Sequence, residues 1–508
     1  MELIRPTGSS DDVADRPVSH RLAPAVVAIA VVQLVVLLAA STRYGYHRDE
    51  MYFIVAGGHP AFGYPDQPPL VPLICRAMDW LAPGSLLLLR LPSALAAAAT
   101  TLMAGDIARE VRGGRVAQTI AAACTACSGF TLATGHFVTT TTFDLLSTTA
   151  LFWLVVRALA RHRPSYLLLS GIAVGVGTQA KPQVAFVAVV LVGALAVVGP
   201  RWPLRSPWLW GGTTLALVIA APYVLWQAAH GWPQVTVMGN IGGSAEGGRI
   251  GFIPFQLIMV SPVLVPVWVA GLVAPWRATP GSVLRLLRFV PVTYLVAGAL
   301  YLLGDGKAYY LASLYPALLG LGAVPVAAWV RRGRARSTVL VTAVVVSAMI
   351  SALIALPLLP ASRLQGSAVM ALNPDQGETV GWPRFVDTVA GVWQGLTPAQ
   401  RDRAVIFTRN YGEAAAVQLL GRSAGLPRAY SGHNGFSLWG RPADGATPVV
   451  LIGFDGPSDA APYFSDCVRR ATVDDGVELD NQEQGLPIMV CRPSQPWSVL
   501  WPRLQHFN

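Results

Sequence analysis

Residues 331–356 read RRGRARSTVLVTAVVVSAMISALIAL: four arginines, Arg331, Arg332, Arg334 and Arg336, then 20 residues without a charge. Lipid offers backbone polar groups no partner, so a chain crosses it as a helix of about 20 mostly apolar residues. Basic residues at one end mark the cytoplasmic side. This segment therefore reads as a spanning helix that starts inside. Ten further stretches share its character, near 22–41, 85–104, 116–134, 137–156, 166–178, 184–199, 208–226, 255–274, 289–303 and 310–330. The fold class is a polytopic α-helical membrane protein with about 11 transmembrane helices.

Whole-chain arithmetic agrees. The 508 residues are 53% apolar and 13% charged, against about 25% charged in a soluble domain. A disordered chain and a soluble enzyme are excluded. The net charge of +10 would suit a nucleic-acid binder, but its distribution opposes that. Residues 1–356 carry 25 basic and 13 acidic residues, net +12, and residues 357–508 carry 12 and 14, net −2.

Alternating the spans gives inner segments 1–21, 105–115, 157–165, 200–207, 275–288 and 331–336, which hold 18 of those 25 basic residues. They include Arg109, Arg112, Arg115, Arg157, Arg161 and Arg163. The asymmetry predicts an N-terminus inside and the segment 357–508 outside the cytoplasmic membrane. The partner of the positive charge is membrane lipid, not nucleic acid. A polar leader with Asp11, Asp12 and Asp15 precedes the first stretch, which does not read as a cleavable signal.

Three parts follow: a cytoplasmic leader at 1–21, a transmembrane catalytic domain at 22–356 with a first outer loop at 42–84, and an extracytoplasmic small α/β domain at 357–508. In the last, Ala404–Thr408, Arg428–Ser431, Pro448–Phe454 and Pro487–Cys491 read as strands, with a helix from Asn410 to about Gly421. No glycine-rich phosphate loop follows a strand, so a nucleotide site is not expected. Cys124 and Cys127 read as small core residues. Cys467 and Cys491 form a disulfide if the compartment is oxidising and the geometry allows.

Charge is scarce enough for its exceptions to stand out. The first outer loop holds Tyr44-Gly45-Tyr46-His47-Arg48-Asp49-Glu50-Met51-Tyr52-Phe53 and Gly63-Tyr64-Pro65-Asp66-Gln67-Pro68-Pro69-Leu70. Aromatic residues around an Asp-Glu pair suggest a site at the membrane face, with the apolar residues between forming helices in the membrane plane. Asp144, near the outer end of the fourth span, is the only acidic residue between Glu110 and Glu246. A carboxylate within a span costs roughly 2.5–3.5 kcal/mol, so it is paired or functional. The chain has 35 arginines and only two lysines, Lys181 and Lys307, both on the outer side. Lysine is a compact charge suited to phosphate. Arg90 lies near the outer end of its span.

Asp49-Glu50, Pro68-Pro69-Leu70, Asp144, and Gly306-Lys307-Ala308-Tyr309-Tyr310 followed by Tyr315-Pro316-Ala317 recur in one order. This resembles glycosyltransferase family 39, of the GT-C class, which includes protein mannosyltransferases and the lipid A aminoarabinose transferase. The resemblance covers about residues 22–330. The outer domain, with Asn410-Tyr411-Gly412-Glu413 and Ser431-Gly432-His433-Asn434, looks like that of bacterial, actinobacterial members and not like a β-trefoil. That departure argues against a protein acceptor.

The resemblance implies inverting transfer of a sugar from a polyprenyl-phosphate donor to a cell-envelope acceptor hydroxyl. Asp49 would be general base and Glu50 would orient it or the acceptor, or the two roles are exchanged. Lys307, Arg90 and Lys181 would stabilise the leaving phosphate. Asp144 would bind hydroxyls or position a cation, and Tyr309, Tyr310 and His47 would complete the substrate site. No cofactor is indicated and no cluster has metal-ligand spacing, although His47 beside Asp49 could serve as a ligand. Sugar, acceptor and oligomeric state stay open. The rival readings are a transporter or flippase for a glycolipid and a non-catalytic assembly protein. The absence of internal repeats argues against the first, and the Asp-Glu loop has no role in the second.

Overall fold

The computed structural model describes residues 21–242 and 248–508; the leader predicted at 1–21 lies outside them but for Arg21. Among the described residues six helices are long and apolar enough to cross a membrane: Leu86–Glu110, Thr140–Ala160, Pro207–Ala229, Val283–Leu303, Ala308–Val330 and Arg334–Ala355. Two helix pairs form bent apolar units: Arg115–Ala126 with Gly129–His136, at 57°, and Arg249–Val260 with Pro262–Arg277, at 81°. The bends fall at Ser128-Gly129 and at Pro262, residues that interrupt the helical hydrogen-bond ladder. Pro24–Ala40, Ser165–Thr178 and Gln183–Val198 are shorter apolar helices. Every apolar stretch read from the sequence falls on one of these elements.

Small residues let the helices approach, as is usual where packing rather than water drives association. A Cβ on Gly171 would meet the Gly212 carbonyl oxygen at 2.1 Å, and one on Gly322 would meet the Val267 carbonyl oxygen at 1.9 Å. Ala308–Val330 is the most enclosed of the long helices, while Pro207–Ala229 and Arg334–Ala355 leave most of their apolar faces open. At the other end of the bundle Asp106, Arg109 and Glu110 meet Arg157 and Arg161 across two helices. Glu110 takes two hydrogen bonds from Arg161, at 2.9 and 2.7 Å, and an ion pair from Arg157 at 3.0 Å.

The C-terminal part is a three-layer α/β/α unit. Its strands are β1 Val405–Thr408, β2 Ala429–Ser431, β3 Val449–Ile452, β4 Phe464–Thr472 and β5 Pro487–Pro493, in the order β2-β1-β3-β5-β4. β2, β1 and β3 are parallel, and β5 and β4 are antiparallel additions. Side chains alternate across the sheet. Ile406, Val450 and Ile452 face the helices Trp382–Gln394 and Tyr411–Leu420, while Phe407, Val449 and Leu451 face Trp497–Leu504. β4 was not anticipated. It is an edge strand carrying Arg469 and Arg470, with mostly exposed side chains and two register shifts, so no apolar alternation betrays it. A disulfide joins Cys467 on β4 to Cys491 on β5.

The segment 42–84, expected from the sequence to be the first outer loop, forms two helices, Arg48–Gly57 and Leu70–Leu81. The second keeps Leu73, Trp80 and Leu81 exposed, as an interfacial helix would. The first departs from that expectation. Met51 to Ala56 are buried in one core with Ala414, Ala415 and Val417 of the sheet domain. Its apolar partner is therefore protein rather than lipid, and Asp49 is fixed directly beneath that domain.

Candidate active site

Thr139 caps Thr140–Ala160 by accepting a hydrogen bond from the Thr141 amide. The first turns of that helix place Thr141 and Asp144. Asp144 is 1% exposed and accepts a hydrogen bond from Thr148 at 2.9 Å. Lys181, in the turn before Gln183–Val198, donates to Thr141 at 2.9 Å and lies within electrostatic reach of Asp144 and Lys307. Its ammonium stands 5.1 Å from the ring centres of both Tyr309 and Tyr310, and Lys307 stands 5.9 Å from Tyr309. Ring faces attract a cation without neutralising it. Five expected residues, Asp144, Lys181, Lys307, Tyr309 and Tyr310, thus form one cluster.

Asp49 joins it from above, within the electrostatic field of Lys307. Its side chain is 32% exposed, and the Tyr411 hydroxyl donates to Oδ1 at 2.7 Å. Burial beneath the sheet domain would raise this carboxyl. His47, Arg48, the Tyr411 hydroxyl and Lys307 together outweigh that and hold it below the usual carboxylate range. Tyr411 thus holds Oδ1 of Asp49, while Oδ2 accepts no hydrogen bond among the described residues and lies 3.9 Å from His47 Nδ1.

Glu50, Arg90 and His47 are buried and bonded to protein groups, which fits the orienting role expected of Glu50 better than contact with substrate. Glu50 is 0% and Arg90 1% exposed, and they are bonded to each other at 2.9 and 2.8 Å. Glu50 also accepts from the amides of Val138 and His47, each at 2.9 Å. Arg90 spends its other donors on the carbonyls of Ser41 and Gly45, at 2.5 and 2.8 Å. This saturated pair ties the helix bearing Asp49 to the segment leading into the Asp144 helix. The physical reason is helical geometry: successive residues point about 100° apart, so neighbours in sequence face different surroundings. His47 is buried, caps the Asp49 helix through Nδ1 and stacks on Phe137 at 4.7 Å. It is a positioning residue.

Sequence reasoning missed the aromatic roof. Tyr52 donates to Asp66 at 2.8 Å, accepts from the Gly435 amide at 3.0 Å, and packs on Tyr411 at 4.7 Å. Burial pushes Asp66 up to about 7, helped by the Asp49 charge and opposed by the Tyr52 hydrogen bond. In the sequence Tyr411 reads only as part of a helix start, where Asn410 and Glu413 form a capping box. Among the described residues no group of three or more His, Cys, Asp or Glu gathers as a metal ion would need.

Residues 66–226 match the family described as Dolichyl-phosphate-mannose-protein mannosyltransferase. No curated protein matches the chain by sequence. Among solved structures the chain is similar to ArnT from Cupriavidus metallidurans bound to undecaprenyl phosphate, at 15% identity and a TM-score of 0.59, covering 92% of this chain and 97% of that one. It is also similar to the arabinofuranosyltransferase AftD from Mycobacteria, at 14% identity and a TM-score of 0.51, covering 92% of this chain and 40% of that one. Residues 66–226 thus match the mannosyltransferase family model, and the chain shares the GT-C fold of ArnT.

Proposed function

We propose that this protein transfers a sugar from a polyprenyl-phosphate carrier to an acceptor hydroxyl at the outer face of the cytoplasmic membrane, with inversion at the anomeric carbon. The observation that carries the reading is a partly open Asp49 within the electrostatic field of Lys307, which in turn neighbours Lys181, the chain's only other lysine. A polyprenyl phosphate is the donor carrier favoured by the likeness to ArnT, which was solved with undecaprenyl phosphate. The inner-segment arginines support an N-terminus inside and the sheet domain outside.

In the proposed step, the acceptor oxygen attacks the anomeric carbon while its proton passes to Oδ2 of Asp49, because Tyr411 holds Oδ1. The bond from that carbon to the phosphate oxygen breaks, and the electron pair leaves with the polyprenyl phosphate. Lys307 and Lys181 lie against aromatic faces and a threonine hydroxyl, so their charge is available to the growing phosphate charge. Asp144 lies within electrostatic reach of Lys181, which Thr141 holds, and offers its remaining acceptor capacity to sugar hydroxyls. Holding donor and acceptor together supplies the orientation term.

The test is Asp49→Asn in purified full-length protein, with polyprenyl-phosphate mannose and polyprenyl-phosphate arabinose as donors and a membrane extract as acceptor. Glycosidic product formed by the parent and lost in the folded variant supports the reading. Equal rates in the two proteins overturn it, as does movement of the lipid across the bilayer without a new glycosidic bond.

A further inference from the structure

Apart from the Asp49 cluster, a cavity of about 430 Å3 is lined by His59, Tyr64, Trp226, His230, Leu438 and Trp439 with the intervening backbone. It joins the first outer loop, the end of the helix Pro207–Ala229 and the sheet domain. Its volume falls within the about 300–1,000 Å3 usual for small-molecule sites. Two stacked ring pairs line it. His59 lies on Trp439 with centroids 4.4 Å apart and planes at 9°, and Trp226 lies on His230 at 4.0 Å and 16°. Tyr64 meets Trp439 edge-on. Gly63 brings backbone against the Trp226 ring, where a Cβ would sit 2.8 Å from it.

Among the described residues no lysine, arginine or carboxylate lines this cavity. The nearest cation is Arg428, which acts on His59 from outside the lining. A phosphate would therefore find no charged group in direct contact, in contrast to the Lys181–Lys307 cluster. The Tyr64 hydroxyl already donates to the Ala56 carbonyl at 2.8 Å, and His230 Nδ1 meets the Trp226 carbonyl at 2.8 Å. An acyl chain would still leave the His59 ring and His230 Nε2 without partners, and unmade polar bonds are costly. Flat aromatic faces beside hydrogen-bonding edges suit a ligand with apolar C–H faces and hydroxyl rims, as a sugar ring has. The cavity also shares a wall with the reacting centre. Trp439 lies 6.1 Å from Tyr52, and Tyr52 lies 4.7 Å from Tyr411, whose hydroxyl bonds Asp49.

We propose that this cavity binds a neutral saccharide, the sugar of the acceptor adjoining the hydroxyl that reacts at Asp49. Its assignment to the acceptor rests on the transfer reading above; its occupation by a sugar does not.

Saturation-transfer NMR on full-length protein in nanodiscs tests it, with a neutral manno-oligosaccharide and a neutral arabino-oligosaccharide as probes. At least one should receive magnetisation at its ring C–H protons. Trp226→Ala and His230→Ala should each weaken binding by about 3- to 10-fold, the worth of one aromatic contact, and Trp226→Phe should restore it. Asp49→Asn should bind as the parent does. Binding retained in Asp49→Asn alongside undiminished sugar transfer would sink the transfer reading and leave the saccharide site standing. Three results overturn the site: no transfer to either probe, unchanged binding in both alanine variants, or quenching of Trp226 by bromo-lipid acyl chains that saturating saccharide does not relieve.

Discussion

The protein buries charge at both ends of its helical bundle, and the two ends use it differently. At the Glu110 end, acidic and basic side chains consume one another: Asp106 and Glu110 are met by Arg109, Arg157 and Arg161 at 2.7–3.7 Å, and Trp153 adds a bond to Asp106 at 2.6 Å. At the Asp49 end, the lysines meet aromatic faces and a hydroxyl, and Asp49 keeps one oxygen uncommitted. Buried charge is therefore no index of function; unspent bonding capacity is. Glu50 and Arg90 show the same contrast within a few ångströms, a clamp built next to the reacting group.

The comparison breaks first at Asp49. Asp49→Asn keeps the Tyr411 contact and removes the base, so transfer by the folded protein should fall by about 10²–10⁴-fold. Some loss of stability should accompany it, because the neighbours that hold Asp49 ionised favour the fold. The matching change at the other end, Glu110→Gln, should lower thermal stability and leave the sugar-transfer rate of the folded fraction intact. In the parent, the acidic limb of the pH–rate profile should lie below the ordinary carboxylate range, because Asp49 is held ionised by its neighbours against the effect of burial.

Next comes the clamp beside it. Arg90→Met strands the fully buried Glu50 carboxylate, a loss of about 3–5 kcal/mol for a broken buried pair. Thermal unfolding and yield should report it. The double variant Arg90→Met with Glu50→Leu should recover part of the stability, which a substrate-binding role for either residue would not predict. Lys307→Met should do the reverse. Its ammonium is tied to no carboxylate by an ion pair, so stability should hold while kcat drops by about 10²–10³-fold, as for loss of one group stabilising developing charge. A rise in KM alone would move Lys307 out of the reacting centre.

Much of this was legible because charge is rare in the chain. Each apolar stretch became a helix or bent helix pair, and β1, β2, β3 and β5 fall where apolar runs end at turn residues. Asp144, Lys181 and Lys307 stood out as polar exceptions in apolar surroundings. The clamp at Glu50 and the cap at His47 are not legible in the sequence because a helix turns neighbouring residues to different environments. Tyr411 was invisible as a partner of Asp49 because 362 residues separate them. The aromatic roof and the edge strand β4 share that cause: both are defined by what packs against them from distant parts of the chain.

The smallest expected effect on the chemistry concerns a third buried charge, which belongs to neither end. Glu413 is enclosed in the sheet domain, where it caps its own helix by accepting from the Asn410 amide at 3.2 Å. Burial pushes its carboxyl up to about 7, against the lowering by that amide and by Arg409. The folded state therefore binds more protons than the unfolded chain between the ordinary glutamate value of 4.5 and about 7. Stability should fall as pH rises through that window and level off above it. Glu413→Gln keeps the capping oxygen and removes the titration. Unfolding of the variant followed from pH 5 to 8 should show a flatter pH dependence than the parent, by up to one proton, while sugar transfer at fixed pH stays unchanged. A parallel pair of curves would mean that Glu413 stays ionised in the fold. Its position would then resemble the saturated clamp, with Arg409 supplying the missing partner.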